Sequence, residues 1–109
     1  MRLSSDFWVS AYLRRCQTDG DFAALTRRGA SQGGAIFIIV NRLDGTADLY
    51  GPAPQALLDG DERAFHALVS AGEEDLIRQR LEKEARFDPD LWIIERESTA
   101  GRHDLTLVE

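Results

Sequence analysis

A stretch of six consecutive apolar residues, Ala35–Val40, constrains the fold more than any other feature of the chain. It is rich in β-branched side chains and contains Phe37, so it favours a strand over a helix. Successive side chains of a strand point in opposite directions, which makes both faces of this one apolar. Such a strand is typical of the middle of a sheet. We therefore predict a central strand that is covered on each side.

A hairpin is predicted directly after this strand. Asp44-Gly45 is suited to a tight turn, because glycine tolerates a positive φ. Thr46–Tyr50 then has the composition of a partner strand. Pro52 and Pro54 end it, since proline has no amide hydrogen to donate to a strand ladder.

The N-terminal segment Ser5–Gln17 has the pattern of an amphipathic helix. Its apolar side chains recur at three- and four-residue steps, which places them in one stripe. The stripe consists of Trp8, Val9, Tyr12, Leu13 and Cys16. Ser5 is suited to cap the first turn, and Gly20 lies where a left-handed residue ends a helix. Because the stripe must be buried, we expect this helix to lie across a sheet.

A second helix is predicted over Glu73–Arg86. Ser70 and Glu73 have the spacing of a capping box, in which a hydroxyl and a carboxylate satisfy the amides of the first turn. One face of the helix carries Ile77, Leu81 and Ala85. Pro89 follows and cannot continue it. The apolar residues Leu91–Ile94 then predict a further strand, which continues into Glu95-Arg96-Glu97.

Several shorter segments have weaker signals. Phe22–Arg28 contains helix-favouring alanines but has the length of a strand between two glycines, so a strand is favoured and a helix stays open. Ala64–Val69 has apolar residues on both faces, and again a strand is favoured over a helix. Asp59-Gly60-Asp61 predicts a turn. Leu105–Val108 predicts a short strand at the edge of the sheet.

These elements predict an α+β fold. We expect an antiparallel or mixed sheet of four to five strands with two helices packed on it, in the order α-β-β-β-β-α-β. The chain has 109 residues, and a domain commonly has ~100–200. We therefore predict a single domain over residues 1–109.

The charge of the chain is acidic and unevenly distributed. Residues 1–50 hold six arginines and five aspartates, a net +1, whereas residues 51–109 hold seven basic and fourteen acidic side chains, a net −7. Nucleic acids and anionic membranes attract proteins mainly through basic side chains. Nucleic acid is therefore an improbable partner on charge alone, and we expect no association with membranes.

The expected location is the cytoplasm. We find no signal peptide after Met1, and the longest apolar run is far too short to cross a bilayer. Cys16 is the single cysteine of the chain, so no intrachain disulfide can form. These features favour a bacterial-type cytoplasm or another reducing compartment.

No catalytic, metal or cofactor motif is present in the sequence. Zinc sites need three or four closely spaced ligands, whereas Cys16, His66 and His103 are scattered over almost the whole chain. Cys16 lies on the apolar stripe of the first helix, where a thiol is buried and inert. We therefore expect no metal and no cofactor, and an enzyme is the less favoured class.

Several motifs resemble a known family. They are Arg27-Arg28-Gly29, Gly33-Gly34, the segment from Asn41 to Ala47, the segment from Arg86 to Glu95, and Gly101-Arg102-His103. Together they resemble the small bacterial proteins of domain-of-unknown-function family 1491, over nearly the whole chain. Asp88-Pro89-Asp90-Leu91-Trp92 is the most specific stretch. The resemblance implies a standalone bacterial cytoplasmic protein and carries no activity, ligand or catalytic residue.

The favoured function is that of an interaction module without catalytic activity, which docks a protein partner or associates with itself. Arginines of the N-terminal half would converge on one face if the first helix and the first two strands are neighbours. The residues of this possible interaction surface are Arg14, Arg15, Arg27, Arg28, Arg42, Trp92, Glu95 and His103. Guanidinium groups of this kind bind carboxylates and phosphates.

Two alternatives remain open. The first is a small-ligand-binding protein or an enzyme, with a site between the first helix and the sheet. Its residues would be Arg42, Trp92, Glu95 and His103. The second is nucleic-acid binding, which needs a continuous basic face. That face would consist of Arg14, Arg15, Arg27 and Arg28.

Overall fold

The computed structural model of the chain describes residues 3–54 and 63–108, and two helices and five strands lie in these ranges. In chain order they are α1 (Ser5–Thr18), β1 (Ala23–Arg27), β2 (Ile36–Asn41), β3 (Thr46–Pro52), β4 (Phe65–Glu73), α2 (Glu74–Phe87) and β5 (Trp92–Glu97). The predicted order of elements is confirmed, and both ambiguous segments are strands. The turn predicted at Asp59-Gly60-Asp61 lies outside the described residues.

The strands form one mixed sheet in the order β1-β5-β2-β3-β4. The apolar run becomes β2, the middle strand. It pairs in parallel with β5, where Ile38 is opposite Ile94, and antiparallel with β3, where Ile38 is opposite Tyr50. The remaining pairs, β1 with β5 and β3 with β4, are antiparallel. The predicted sheet and its hairpin are therefore confirmed.

The two helices cover opposite faces of this sheet. Alternation along β2 sends Ile36, Ile38 and Val40 to the face of α1, and Phe37 and Ile39 to the face of α2. From the helices, α1 contributes Val9, Tyr12 and Cys16 to its face, whereas α2 contributes Ile77 and Leu81. Every residue of β2 is buried. This burial on both faces explains why the strand has no polar alternation.

The first helix is capped one residue earlier than predicted. Ser4 is its N-cap, and the Ser4 hydroxyl accepts a hydrogen bond from the amide of Phe7. Ser5 is buried, and its hydroxyl instead donates to the carbonyl of Gly34 at 2.7 Å. The prediction that Ser5 caps α1 is wrong, because its hydroxyl is hydrogen-bonded to the loop before β2. Gly20, at φ +86°, follows the helix as predicted.

The predicted capping box of the second helix is also wrong. Ser70 and Glu73 belong to β4, and Glu73 precedes α2 without capping it through its side chain. The ladder with β3 continues as far as the pair Thr46 and Glu73. The amide of Glu74 then donates to the carbonyl of Gly45 at 3.1 Å. Pairing with β3 and the hairpin turn therefore replace the local cap.

The C-terminal segment attaches to the start of β4 by a single bridge. Leu107 lies opposite Phe65, whose amide donates to the carbonyl of Thr106 and whose carbonyl accepts from the amide of Val108. The predicted edge strand over Leu105–Val108 is thus reduced to one bridge. No helix within the described ranges has the length and apolar character needed to cross a membrane.

Candidate interaction site

Strand β1 forms one edge of the sheet, because it pairs with β5 alone in the part of the chain that the structure describes. A cavity flanks it on each face. The α1-side cavity, of about 500 Å³, lies between β1 and α1. The α2-side cavity, of about 280 Å³, lies between α2 and the neighbouring strands. The edge thus combines an open strand with space for side chains above and below it.

The α1-side cavity has a mixed lining. Leu13, Arg14 and Gln17 border it from the helix, while Phe22 and Leu25 border it from β1 and its approach. The Phe22 side chain is 65% exposed. An exposed aromatic ring beside an open strand edge is the kind of surface that a docked segment covers.

The α2-side cavity has an apolar floor. Ile39 and Leu81 are almost fully buried, and Ile93 lies beside them. Arg27 and Arg78 reach its rim. The Arg27 Nη2 atom donates to the carbonyl of Pro89 at 3.0 Å, whereas its Nε atom is buried and has no hydrogen-bond partner among the described residues.

The four arginines predicted to form a basic face differ in whether they form ion pairs. Arg15 is within 3.6 Å of Asp104, and Arg28 is within 3.6 Å of Asp6. The Arg28 guanidinium also lies over the ring of Trp92. Among residues 3–54 and 63–108, Arg14 and Arg27 form no ion pair. Within the described part of the chain, Arg14 and Arg27 therefore lie beside β1 without a carboxylate partner.

The residues of the predicted ligand site each have partners in different places. Trp92 is buried at the start of β5, and its Nε1 donates to the carbonyl of Ala30 at 2.8 Å. Arg42 binds Asp48 at 2.9 Å, and this hydrogen bonding raises its pKa. The His103 ring packs 5.0 Å from the ring of Tyr50.

Glu95, the fourth residue of that set, belongs to a polar cluster on the α2 face. Its Oε1 lies 3.0 Å from Arg78, which also binds Glu74 one helical turn away. The side-chain amide of Asn41 donates to the carboxylates of Glu74 and Glu95. Hydrogen bonding to Glu74 outweighs burial and raises the pKa of Arg78. Trp92 and Glu95 therefore face opposite sides of the sheet, and the four residues do not surround one cavity.

Among the residues that the structure describes, Arg96 is the most buried charge, and the sequence interpretation missed it. Its side chain is fully buried, and its Nη2 lies 2.7 Å from Asp21, 3.0 Å from Asp104 and 3.3 Å from Asp19. Its guanidinium also lies over the ring of Tyr12. Alternation along β5 was the available signal, because it places Arg96 on the same face as Trp92 and Ile94.

The pKa values of Arg96, Asp104 and Tyr12 are shifted. Burial favours a lower pKa for Arg96, but hydrogen bonds to Tyr12 and Asp21 outweigh it and raise the pKa. Burial also favours a higher pKa for Asp104, yet its contacts with Asp19 and Arg96 lower it. Burial raises the pKa of Tyr12 well above its ordinary value. These shifts favour the charged forms of Arg96 and Asp104 and the neutral form of the Tyr12 phenol.

A third cavity, of about 400 Å³, lies between α1 and the C-terminal segment. Its wall includes Trp8, Tyr12 and Phe65, and the first two rings are stacked 5.0 Å apart. Asp104, next to His103, also lines it. The residues of the predicted ligand site, Arg42, Trp92, Glu95 and His103, do not line this cavity. Ligand binding there stays a prediction.

Metal binding has little geometric basis in the described ranges. No group of three or more His, Cys, Asp or Glu side chains within them is arranged to hold a metal ion. The aspartates that do converge surround Arg96. Cys16 is buried, and burial raises the pKa of its thiol, which disfavours the thiolate needed for metal ligation.

Known structures and sequences were compared with the chain. It resembles the solution structure of protein Atu0922 from A. tumefaciens, with 42% identity, a TM-score of 0.85, and coverage of 100% of this chain and 97% of that one. It also resembles the crystal structure of a DUF1491 family protein from Caulobacter crescentus CB15, with 34% identity, a TM-score of 0.82 and full coverage of both chains. No curated protein sequence matches it.

The family model described as "Protein of unknown function (DUF1491)" matches residues 3–106. This match covers nearly the whole chain, and it agrees with the similarity to the Caulobacter protein of the same family. The chain therefore belongs to the DUF1491 family.

Proposed function

We propose that this protein is a non-catalytic interaction module of the bacterial cytoplasm that takes up an extended segment of a partner protein along β1. The observation that carries the proposal is the open edge of β1 with a cavity on each of its faces. A bacterial origin is supported by the sources of the related structures. A reducing compartment is supported by the single, buried cysteine.

The geometry fits strand addition. A segment that pairs with a sheet edge obtains affinity from main-chain hydrogen bonds and specificity from pockets for alternate side chains. Side chains of an added strand point alternately to the two faces of the sheet. On β1 they would therefore enter the α1-side and α2-side cavities in turn.

The edge itself is short, so main-chain pairing alone gives a docked segment little selectivity. Strand β1 has five residues, and its pairing with β5 is irregular between Leu25 and Arg27. Short edges and bulges protect sheets against unselective pairing. A docked segment therefore forms a brief ladder, and side chains in the two cavities supply most of its selectivity.

The test is a selection of peptides by the intact protein, followed by mapping on its backbone. We expect a random peptide library to yield binders that shift the amide resonances of residues 22–27 and of both cavity linings. Ala85→Phe, which fills the α2-side cavity, should weaken binding at least about tenfold, equivalent to about 1.4 kcal/mol. Ala100→Phe, in an exposed turn, serves as the matched control. Failure to select any peptide, or shifts confined to another surface, would rule the proposal out.

A further inference from the structure

We infer that the segment docked on β1 alternates acidic and apolar side chains, with a glutamate directed to Arg14 and an apolar residue directed to the α2-side cavity. This inference rests on the proposed function and adds the chemistry of the partner. It follows from a difference between the two cavities. The lining of one presents Arg14 without a free carboxylate, because Asp21 is bound to Arg96, whereas the other has an apolar floor and places Glu82 with Arg27 in its lining.

The α1-side cavity favours a long acidic side chain. Two carboxyl-bearing or basic side chains line it, Arg14 and Asp21. Asp21 is already bound to Arg96 at 2.7 Å. Arg14, by contrast, pairs with no carboxylate in residues 3–54 and 63–108. A carboxylate entering this cavity thus meets a guanidinium that has no internal competitor, and a guanidinium binds carboxylates in a planar, paired geometry.

The same cavity also accommodates the stem of such a side chain. Leu13 and Leu25 are half-buried in its wall, and the exposed ring of Phe22 borders it. Methylene groups pack on apolar surface of this kind while the charged end stays polar. A glutamate is therefore better matched than an aspartate, whose carboxylate follows a single methylene.

The α2-side cavity favours an uncharged residue. Its floor of Ile39 and Leu81 is apolar and almost fully buried. Arg78, at its rim, is already shared by Glu74 and Glu95. Arg27 and Glu82 also line the cavity, and their charges are opposite. An acid placed here would meet a carboxylate and lose water against an apolar floor, whereas a leucine or isoleucine gains from burial.

The test uses a short synthetic peptide in which glutamate and leucine alternate, and a second peptide with glutamine at every glutamate position. Binding is measured by isothermal calorimetry and located by amide shifts. We expect the acidic peptide to bind at β1 about tenfold more tightly than its amide counterpart, a difference of about 1.4 kcal/mol. The preference should shrink as salt is raised, because exposed ion pairs are screened.

Charge reversal gives the sharper result. Arg14→Glu should abolish the preference for the glutamate peptide and create a preference for a matching lysine peptide. Arg80→Glu, on the exposed side of α2, makes the same change of net charge and should leave the preference intact. If the acidic and amide peptides bind equally at β1, the inference is overturned and the proposed function stands. If no peptide shifts the amides of β1, both are overturned.

Discussion

Arg96 stabilises the molecule in a way that its position on β5 explains. A buried guanidinium is costly to desolvate, and it persists only where several groups neutralise it and accept its hydrogen bonds. Here the carboxylates come from three places, the end of α1 (Asp19), the approach to β1 (Asp21) and the C-terminal segment (Asp104). The Tyr12 hydroxyl joins the same network and donates to the carbonyl of His103 at 2.7 Å. Arg96 therefore connects segments that are far apart in the sequence.

We predict that Arg96→Met destabilises the protein by about 3 kcal/mol, because it leaves three partly buried carboxylates without their counter-charge. Urea unfolding at neutral pH measures the loss. Arg80→Met, an exposed arginine of α2, should change the free energy of unfolding by less than about 0.5 kcal/mol. If Arg96→Met lowers the free energy of unfolding by less than about 1 kcal/mol, the cluster contributes little net stability.

At the scale of elements, the loop between β1 and β2 is held against the turn that precedes β5. Gly29 and Gly34 are its contact points. A Cβ atom on either glycine would approach the carbonyl oxygen of Asp90 too closely, and on Gly34 it would also meet the Trp92 ring at 2.9 Å. The loop thus needs glycines for close packing of backbone on backbone. The phosphate-binding role that glycine-rich loops have elsewhere is not needed to explain them.

The two adjacent glycines of this loop give a matched pair of variants. Gly34→Ala should destabilise the protein by about 1–3 kcal/mol, because the backbone of the turn before β5 must move away. Gly33 has open space around its Cβ position. Gly33→Ala should be neutral or stabilise by about 0.4–1 kcal/mol through the unfolded chain. Thermal and urea unfolding distinguish the two, and equal losses for both variants would contradict close packing as the cause.

At the scale of the whole molecule, the α1 face of the sheet determines the response to alkaline pH. Burial raises the pKa values of Tyr12, Tyr50 and Cys16 above their ordinary values. The unfolded chain therefore releases these protons at a lower pH than the folded protein does. Because the folded state then binds more protons, the free energy of unfolding must fall as pH rises. The fall begins near the ordinary thiol value of 9.0 and steepens near the ordinary phenol value of 10.0.

We predict a loss of about 1.4 kcal/mol per pH unit for Tyr12 between its unfolded pKa and its higher folded pKa. Tyr12→Phe should be less stable than wild type at pH 7, since its hydroxyl bonds to Arg96 and to the His103 carbonyl are gone. The difference in the free energy of unfolding between wild type and Tyr12→Phe should narrow towards pH 11, because the variant no longer has this phenol to ionise on unfolding. Parallel stability curves from pH 8 to pH 11, measured by urea unfolding, would refute this assignment.

Local chemistry predicted the elements well and their ends poorly. The periodic stripes of α1 and α2 and the apolar run of β2 identify helix and strand without further context. Ser5 and Ser70 were misassigned as caps because cap propensity is a local preference. In the folded chain, the Ser5 hydroxyl donates a hydrogen bond to the carbonyl of Gly34. Pairing with β3 extends β4 through Ser70. Both competing partners are distant in sequence.

The candidate site was predictable only in part. Arg14 and Arg27 were identified from sequence, and the structure places both beside β1. Arg15 and Arg28 look the same as these two in the sequence. In the structure, however, Arg15 lies close to a carboxylate of the C-terminal segment and Arg28 lies close to a carboxylate of α1. Whether an arginine keeps a free charge depends on which acids the fold brings near it, and a single sequence does not contain that distance.

The sequence by itself determined the two helices, the central strand, the hairpin and the α+β class, because these follow from side-chain periodicity and turn chemistry over a few residues. The tertiary structure alone decided the strand order, the placement of the helices on opposite faces, the ion cluster of Arg96 and the open edge of β1. Each of these depends on contacts between residues that are distant along the chain. Such contacts form only when the burial of the whole apolar surface selects one arrangement of the elements.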